Sequence, residues 1–340
     1  MLSKINAKGY LKKAYNRFTI KELVDKTKQN LLLPFYHTIS NQQVSHIGNL
    51  YPVRNEQLFI KDIDFLLKHF EPVNIDVINT KIKNNELFTK PSFHISFDDG
   101  LSELYETVLP ILEKKGIPAT FFINTDFVDN KALFYRYKVS LIIEELKSNK
   151  DLLIPVAELL VTKSTDLISV SKALLQLNYK SIDLIDSIAT KIELSFEDYL
   201  KANKPYLTTE QIKNMINRGF SIGSHSVNHP FFKEIALDEQ KKQLTESFQF
   251  LAEKFDIKHK YFSFPFSDEG VSLDFFEWLY NDEKCDLTFG TSGLKHDYSR
   301  NHIHRVAFDG ALSPAEDIVK SQYFNYMVKS YLKKNYIERK

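Results

Sequence analysis

The chain has 340 residues, 43% hydrophobic and 26% charged, which suits a globular α/β protein of one large domain or two ordinary ones. Its 45 Lys and Arg against 44 Asp and Glu leave a formal charge of +1, which excludes a global field that would draw it to nucleic acid or acidic polymers. The single cysteine, Cys285, excludes an internal disulfide and a Cys-rich zinc module, and no apolar run is long enough for a leader or a membrane span, so the expectation is a cytoplasmic protein with at most peripheral membrane association.

In chain order, residues 1–30 read as an N-terminal helical extension. LLLPFYH (Leu31–His37) and SFHISF (Ser92–Phe97) read as strands, with His37 a strand-end imidazole satisfied by a backbone carbonyl, a place at the border of the active-site floor being the second reading. LSELYETVLPILEKKG then sets Leu101, Leu104, Tyr105, Val108, Ile111 and Leu112 on one helical face and stops at Gly116, before the strand ATFFINTDF (Ala119–Phe127). Strand, helix, strand with short links is the pattern of a parallel βαβ unit. No glycine occurs between Gly116 and Gly219, and residues 133–199 read as an inserted helical subdomain that packs over one side of a barrel, a lid being the second reading.

The βαβ pattern resumes after Pro205. Thr208 and Gln211 form a capping box, Ile212, Met215 and Ile216 a stripe, and Gly219 a stop before the strand FSIGSHS. A helix carrying Leu244, Phe248, Leu251 and Phe255 leads to the strand KYFSFPF, whose aromatics Tyr261, Phe262, Phe264 and Phe266 read, with Trp278, as core rather than as a sugar platform. Residues 31–132 and 200–325 thus make a sheet or barrel of parallel strands with its chemistry at their C-terminal ends, and 326–340 a basic, solvated tail.

Two stretches carry chemistry. HISFDDG puts Asp98 and Asp99 side by side at the end of a strand. A plain Asp–Asp–Gly turn would account for them alone, yet paired carboxylates repel unless a proton, water or a cation lies between. GSHSVNHP sets His225 and His229 four apart after another strand, so that both imidazoles can face one point. One carboxylate with two imidazoles leaves coordination positions open, which suits Zn²⁺ first and also Co²⁺, Ni²⁺, Mn²⁺ or Fe²⁺. A cation bound by one Asp, with the other taking a proton from water, is the division of labour this pair invites.

Ser96–Gly100 (SFDDG) and the His225, Ser226, His229 stretch, in this order, resemble the first two motifs of the polysaccharide deacetylases, the NodB-homology or carbohydrate esterase family 4 enzymes; FYHTIS, ILEKKGIPATFFINT and NRGFSIGSHSVNHP extend the likeness over most of 31–309 outside the insert. The resemblance implies a distorted (β/α) barrel of fewer than eight full units and metal-dependent removal of acetyl groups, N-acetyl foremost, from a polysaccharide or oligosaccharide by metal-bound water. It makes Asp98 the base, assigns Asp99, His225 and His229 to the metal, and gives the oxyanion to the Phe266 backbone beside Pro265. Two departures stand out. Ser263 occupies the position of an Arg that orients the base, so that either Arg305 reaches Asp98 or the base is held differently; and no Leu-x-His supplies the acid, leaving His302 and His304 as candidates by sequence proximity. The alternatives are a glycan-binding protein that kept the metal pocket with little or no turnover, and an O-acetyl esterase.

Overall fold

The strands of this chain are buried on both faces, which requires a sheet covered on both sides. Ala119–Ile123 is buried at all five positions, and Ile95–Phe97 and Tyr261–Ser263 at all three. The computed structural model describes residues 11–281, 284–310 and 312–339. Its main sheet comprises β1 (Pro34–Tyr36), β2 (Ile95–Phe97), β3 (Ala119–Ile123), β4 (Ser221–Ser224), β5 (Tyr261–Ser263), β6 (Leu287–Gly290), β7 (His302–His304) and β8 (Val306–Ala307), in the order β7-β6-β5-β4-β3-β2-β1-β8.

Every pairing is parallel, and the two ends of that order are one piece of chain. Only Arg305 separates β7, which pairs with β6, from β8, which pairs with β1. The Arg305 N–H donates to the Gly290 carbonyl at 2.9 Å and the Val306 N–H to the Leu33 carbonyl at 2.8 Å, so a single stretch turns from one neighbour to the other and closes the barrel. The fold is thus a distorted (β/α) barrel in which closure removes the exposed edges of an open sheet. Inside it the Arg305 guanidinium lies over the rings of Phe35 at 4.4 Å and Phe122 at 5.3 Å, while on the outer face Phe97 stacks on Phe121 at 5.0 Å and on Tyr36 at 5.7 Å and meets Phe59 of the helix Glu56–His69 at 6.0 Å.

The two long N-terminal strands each divide. Leu31–Leu32 and Ser92–Phe93 belong to a small parallel sheet with Glu71–Pro72, and the chains pass into β1 and β2 beyond Leu33 and His94. His94 marks the junction by bonding the Val73 carbonyl and the Thr120 hydroxyl, both at 2.9 Å. The capping box forms as read: Gln211 N–H donates to the Thr208 hydroxyl at 3.2 Å, Thr208 N–H to the Gln211 side chain at 2.9 Å, and the helix spans Thr209–Asn217.

Between β3 and β4 the chain is helical, with helices Tyr135–Ser148, Leu153–Leu159, Leu167–Leu175, Ile182–Lys191 and Phe196–Asn203. Their apolar faces do not form a separate core: Tyr137, Val139 and Ile142 belong to the same buried cluster as Phe97, Leu104 and Phe121. The tail is exposed over residues 331–334 and at Tyr336, but its far end is anchored. After the helix Ala315–Tyr331 the chain bridges at Tyr336 to His296, and the Arg339 side chain is 3% exposed, because buried carboxylates draw it inward. No helix of the described residues is long and apolar enough to cross a membrane.

Candidate active site

With all strands parallel, the residues that follow β2, β4 and β5 meet at one rim. Asp99 has φ 71° and Gly100 φ 65°, the left-handed turn expected of Asp–Gly, and a Cβ on Gly100 would come to 3.0 Å from Ile123 Cγ2. The turn and the site are therefore the same feature. After β4 the chain winds tightly: Ser226 N–H donates to Ser224 Oγ and His229 N–H to Ser226 Oγ, both at 3.1 Å, with Ser226 and His229 also left-handed. This brings His229 Nε2 to 3.3 Å and His225 Nε2 to 3.5 Å from Asp99 Oδ1, and the two nitrogens to 3.1 Å from each other.

The donors fit a divalent cation. His225 Nδ1 donates to the Ser263 carbonyl at 2.8 Å, which leaves Nε2 as a bare lone pair directed at Asp99. Asp99 Oδ1 is buried with no hydrogen-bond partner among the described residues, an arrangement that a cation would satisfy. Burial opposes the charge on Asp99, but the neighbouring His229 outweighs it and holds the carboxyl far below its usual range. Burial pushes His225 down to about 4, which keeps the imidazole neutral as a ligand must be.

Asp98 faces the other way. Arg305 grips it through both oxygens, Nη1 to Oδ1 and Nη2 to Oδ2 at 2.7 Å each, and the same guanidinium donates to Ser96 Oγ at 2.9 Å and Ser263 Oγ at 2.5 Å. Ser263 thus stands where the sequence lacks an arginine, and its hydroxyl seats a guanidinium that arrives from the closing strand. Burial would raise Asp98; Arg305 outweighs it, and the carboxyl is held below its ordinary value. Asp98 Oδ2 lies 4.0 Å from His225 Nε2, so the base position adjoins the ligand set.

His37 is not satisfied by a backbone carbonyl. Its Nδ1 lies 2.6 Å from Asp309 Oδ2, and its N–H donates to the same oxygen at 2.7 Å. Ala307 pairs with Phe35, so residues two further along each strand, 309 and 37, fall side by side at the rim. Burial lowers the His37 pKa, but Asp309, aided by Asp99 and Asp98, raises it to about 10. His304 is not brought to this rim. It is buried against Asp297, with Nε2 2.9 Å from Oδ2, and His302 lies beside Asp268 at 3.2 Å.

Nothing in the sequence singles out Tyr137. It belongs to the helix Tyr135–Ser148 of the insert, and its hydroxyl donates to Asp99 Oδ2 at 2.6 Å. Phe266, at φ 59° and 39% exposed, follows Pro265 at the mouth with its ring 4.7 Å from His229 and 5.9 Å from Phe134 of the insert. A left-handed phenylalanine costs roughly 1–2 kcal/mol and is kept only where the surroundings dictate it.

A closed parallel barrel that gathers an Arg-held carboxylate, an Asp–His–His set and a protonated imidazole at its C-terminal rim has the equipment of a hydrolase. The chain belongs to the polysaccharide deacetylase family, whose model matches residues 86–275, more than half of the sequence. The fold is similar to that of the Streptococcus pyogenes deacetylase PplD, solved with acetate, at 16% identity and TM-score 0.55 over 86% of this chain and 97% of that one. IcaB from Ammonifex degensii is similar at 15% identity and TM-score 0.53, again over 86% and 97%. No curated protein matches by sequence.

Proposed function

We propose that this enzyme removes acetyl groups, N-acetyl foremost, from an acetylated oligosaccharide or polysaccharide, with a divalent ion, Zn²⁺ first, held by Asp99, His225 and His229. The observation that carries the reading is the two-oxygen grip of Arg305 on Asp98, 4.0 Å from the nearest imidazole of the ligand set. When bound, the ion supplies Lewis-acid polarisation of the acetyl carbonyl and acidifies the attacking water. Asp98, kept ionised and oriented by Arg305, takes the proton of that water. The Phe266 backbone amide, beside Pro265, serves the oxyanion.

An amide leaves only if its nitrogen is protonated, and His37 is the group that carries a proton at neutral pH. Asp309 fixes its ring through Nδ1 and leaves Nε2–H as the donor. This favours amide over ester cleavage. Ser263 and the missing C-terminal histidine are what motivate the binding-only alternative; Arg305 and His37 speak against it by filling both roles.

The test is acetate release from N-acetylated oligosaccharides by zinc-loaded protein. Asp98→Asn is expected to lower kcat by about 10²–10⁴-fold with the metal content unchanged. Metal-loaded wild type that binds such sugars yet frees no acetate would favour the binding-only alternative, and release from O-acetyl sugars alone would favour the esterase.

A further inference from the structure

We propose that Arg339, three positions beyond the Tyr336 bridge to His296, is a positioning residue for this reaction: its guanidinium is the fixed cation of a buried Asp268–Asp297–His302–His304 network that sets both Arg305 and the Phe266 loop. The inference rests on the roles proposed above for Asp98 and Arg305.

Two carboxylates buried together require a counter-cation, and removing it leaves uncompensated charge. Arg339 provides it as a fork: Nη2 lies 2.6 Å from Asp268 Oδ2 and 2.7 Å from Asp297 Oδ2, and Nε 2.6 Å from Asp297 Oδ1. Its Nη1 donates to the Asp268 carbonyl at 3.1 Å, and the guanidinium lies 3.9 Å over the Phe276 ring. His302 does not supply a second seated cation. His304 is seated between the two carboxylates, with Nε2 2.9 Å from Asp297 Oδ2, Nδ1 3.8 Å from Asp268 Oδ1 and the Ser292 N–H 3.4 Å from Nδ1. His302 bonds Thr288 Oγ1 at 2.7 Å and Asp268 at 3.2 Å, and burial lowers its pKa to about 4.

The network reaches the reaction centre along two short paths. His302 and His304 precede Arg305 by three and one residues on the closing stretch, so fixing their rings fixes the segment that aims the guanidinium at Asp98. Asp268 Oδ1 accepts the Thr291 N–H at 3.3 Å, and the Thr291 hydroxyl donates to the Phe266 carbonyl at 3.4 Å. Gly290 leaves no slack: a Cβ there would fall 2.3 Å from Asp268 Oδ1 and 2.5 Å from His304 Nδ1.

The experiment compares full-length wild type with Arg339→Ala and Arg339→Lys. We expect Arg339→Ala to lose about 10- to 100-fold in kcat, since a displacement on the order of 1 Å suffices for that, with KM little changed. Zinc content stays the same, and millimolar guanidinium restores turnover. Lysine, a point charge that cannot fork across two carboxylates, rescues poorly. A lowered melting temperature with unchanged kcat, or no response to guanidinium, overturns the proposal. So does a second equivalent of divalent metal in wild type that Asp268→Asn abolishes, because the seat would then belong to a metal. Backbone amide exchange over 264–268 and 302–306 is read in parallel. Faster exchange in Arg339→Ala, reversed by guanidinium, supports the clamp even if wild type releases no acetate, an outcome that would sink the proposed function alone; unchanged exchange overturns the clamp.

Discussion

Asp98 and Asp99 are neighbours in the chain and opposites in their surroundings. One meets a guanidinium and is held below its ordinary pKa; the other meets imidazoles and keeps an oxygen without a hydrogen-bond partner among the described residues. The left-handed φ of Asp99 separates them, because it turns the second carboxylate away from the direction of the first. The same logic makes His37 a titratable device. Its pKa is raised from 6.5 to about 10, so the stability its charged form contributes is fully present below about 6.5 and is lost as pH rises through about 10. As the proposed acid it must hold its proton, so turnover of an N-acetyl substrate is expected to persist through neutral pH and to fall toward pH 10. Asp309→Asn removes the charge that raises the pKa and leaves the burial that lowers it, so the alkaline fall moves to lower pH. A pH profile of kcat/KM for both proteins checks this, and an unmoved alkaline limb would dismiss His37 as the acid.

At the scale of elements, the rim was legible wherever a strand and its turn were local in sequence. Asp99, His225 and His229 follow from strand ends and short spacing, and the structure brings them within reach of one ion. Arg305 was legible only as one option, since its pairing with Asp98 depends on a strand contact across 207 residues. His37 was misread because its partner, Asp309, lies 272 residues away, and only the β1–β8 register joins them. Tyr137 had no signal at all: on the helix Tyr135–Ser148 it is one more aromatic at helical spacing, and only tertiary packing points its hydroxyl at Asp99. That helix is consequently part of the ligand set's support. Tyr137→Phe is expected to weaken Zn²⁺ binding by about 10-fold or more, as loss of a partner to a ligand commonly does, measured by competition with a chromogenic chelator. Unchanged affinity would reduce the helix to scaffold.

At the scale of the whole molecule, barrel and insert share one buried cluster that also takes in Val319 and Tyr323 of the C-terminal helix. A shared core predicts that they melt together. Calorimetry should give a single cooperative transition, and a separate early one would show that the insert is an independent unit. The fold class was readable because repeated strand–helix–strand units allow few topologies. The resemblance implied a barrel, but the stretch that closes it was not readable, since His302–Ala307 completes both pairings at once.

That stretch also dictates the order of events during biosynthesis. On the ribosome the first barrel strand emerges 272 residues before its outer neighbour (Val306 pairs with Pro34), so an unpaired, aromatic-rich edge waits for that long stretch of translation. Such late, long-range pairing makes for slow maturation, and a nascent chain stalled before residue 302 is the form in which chaperone capture or aggregation should be greatest.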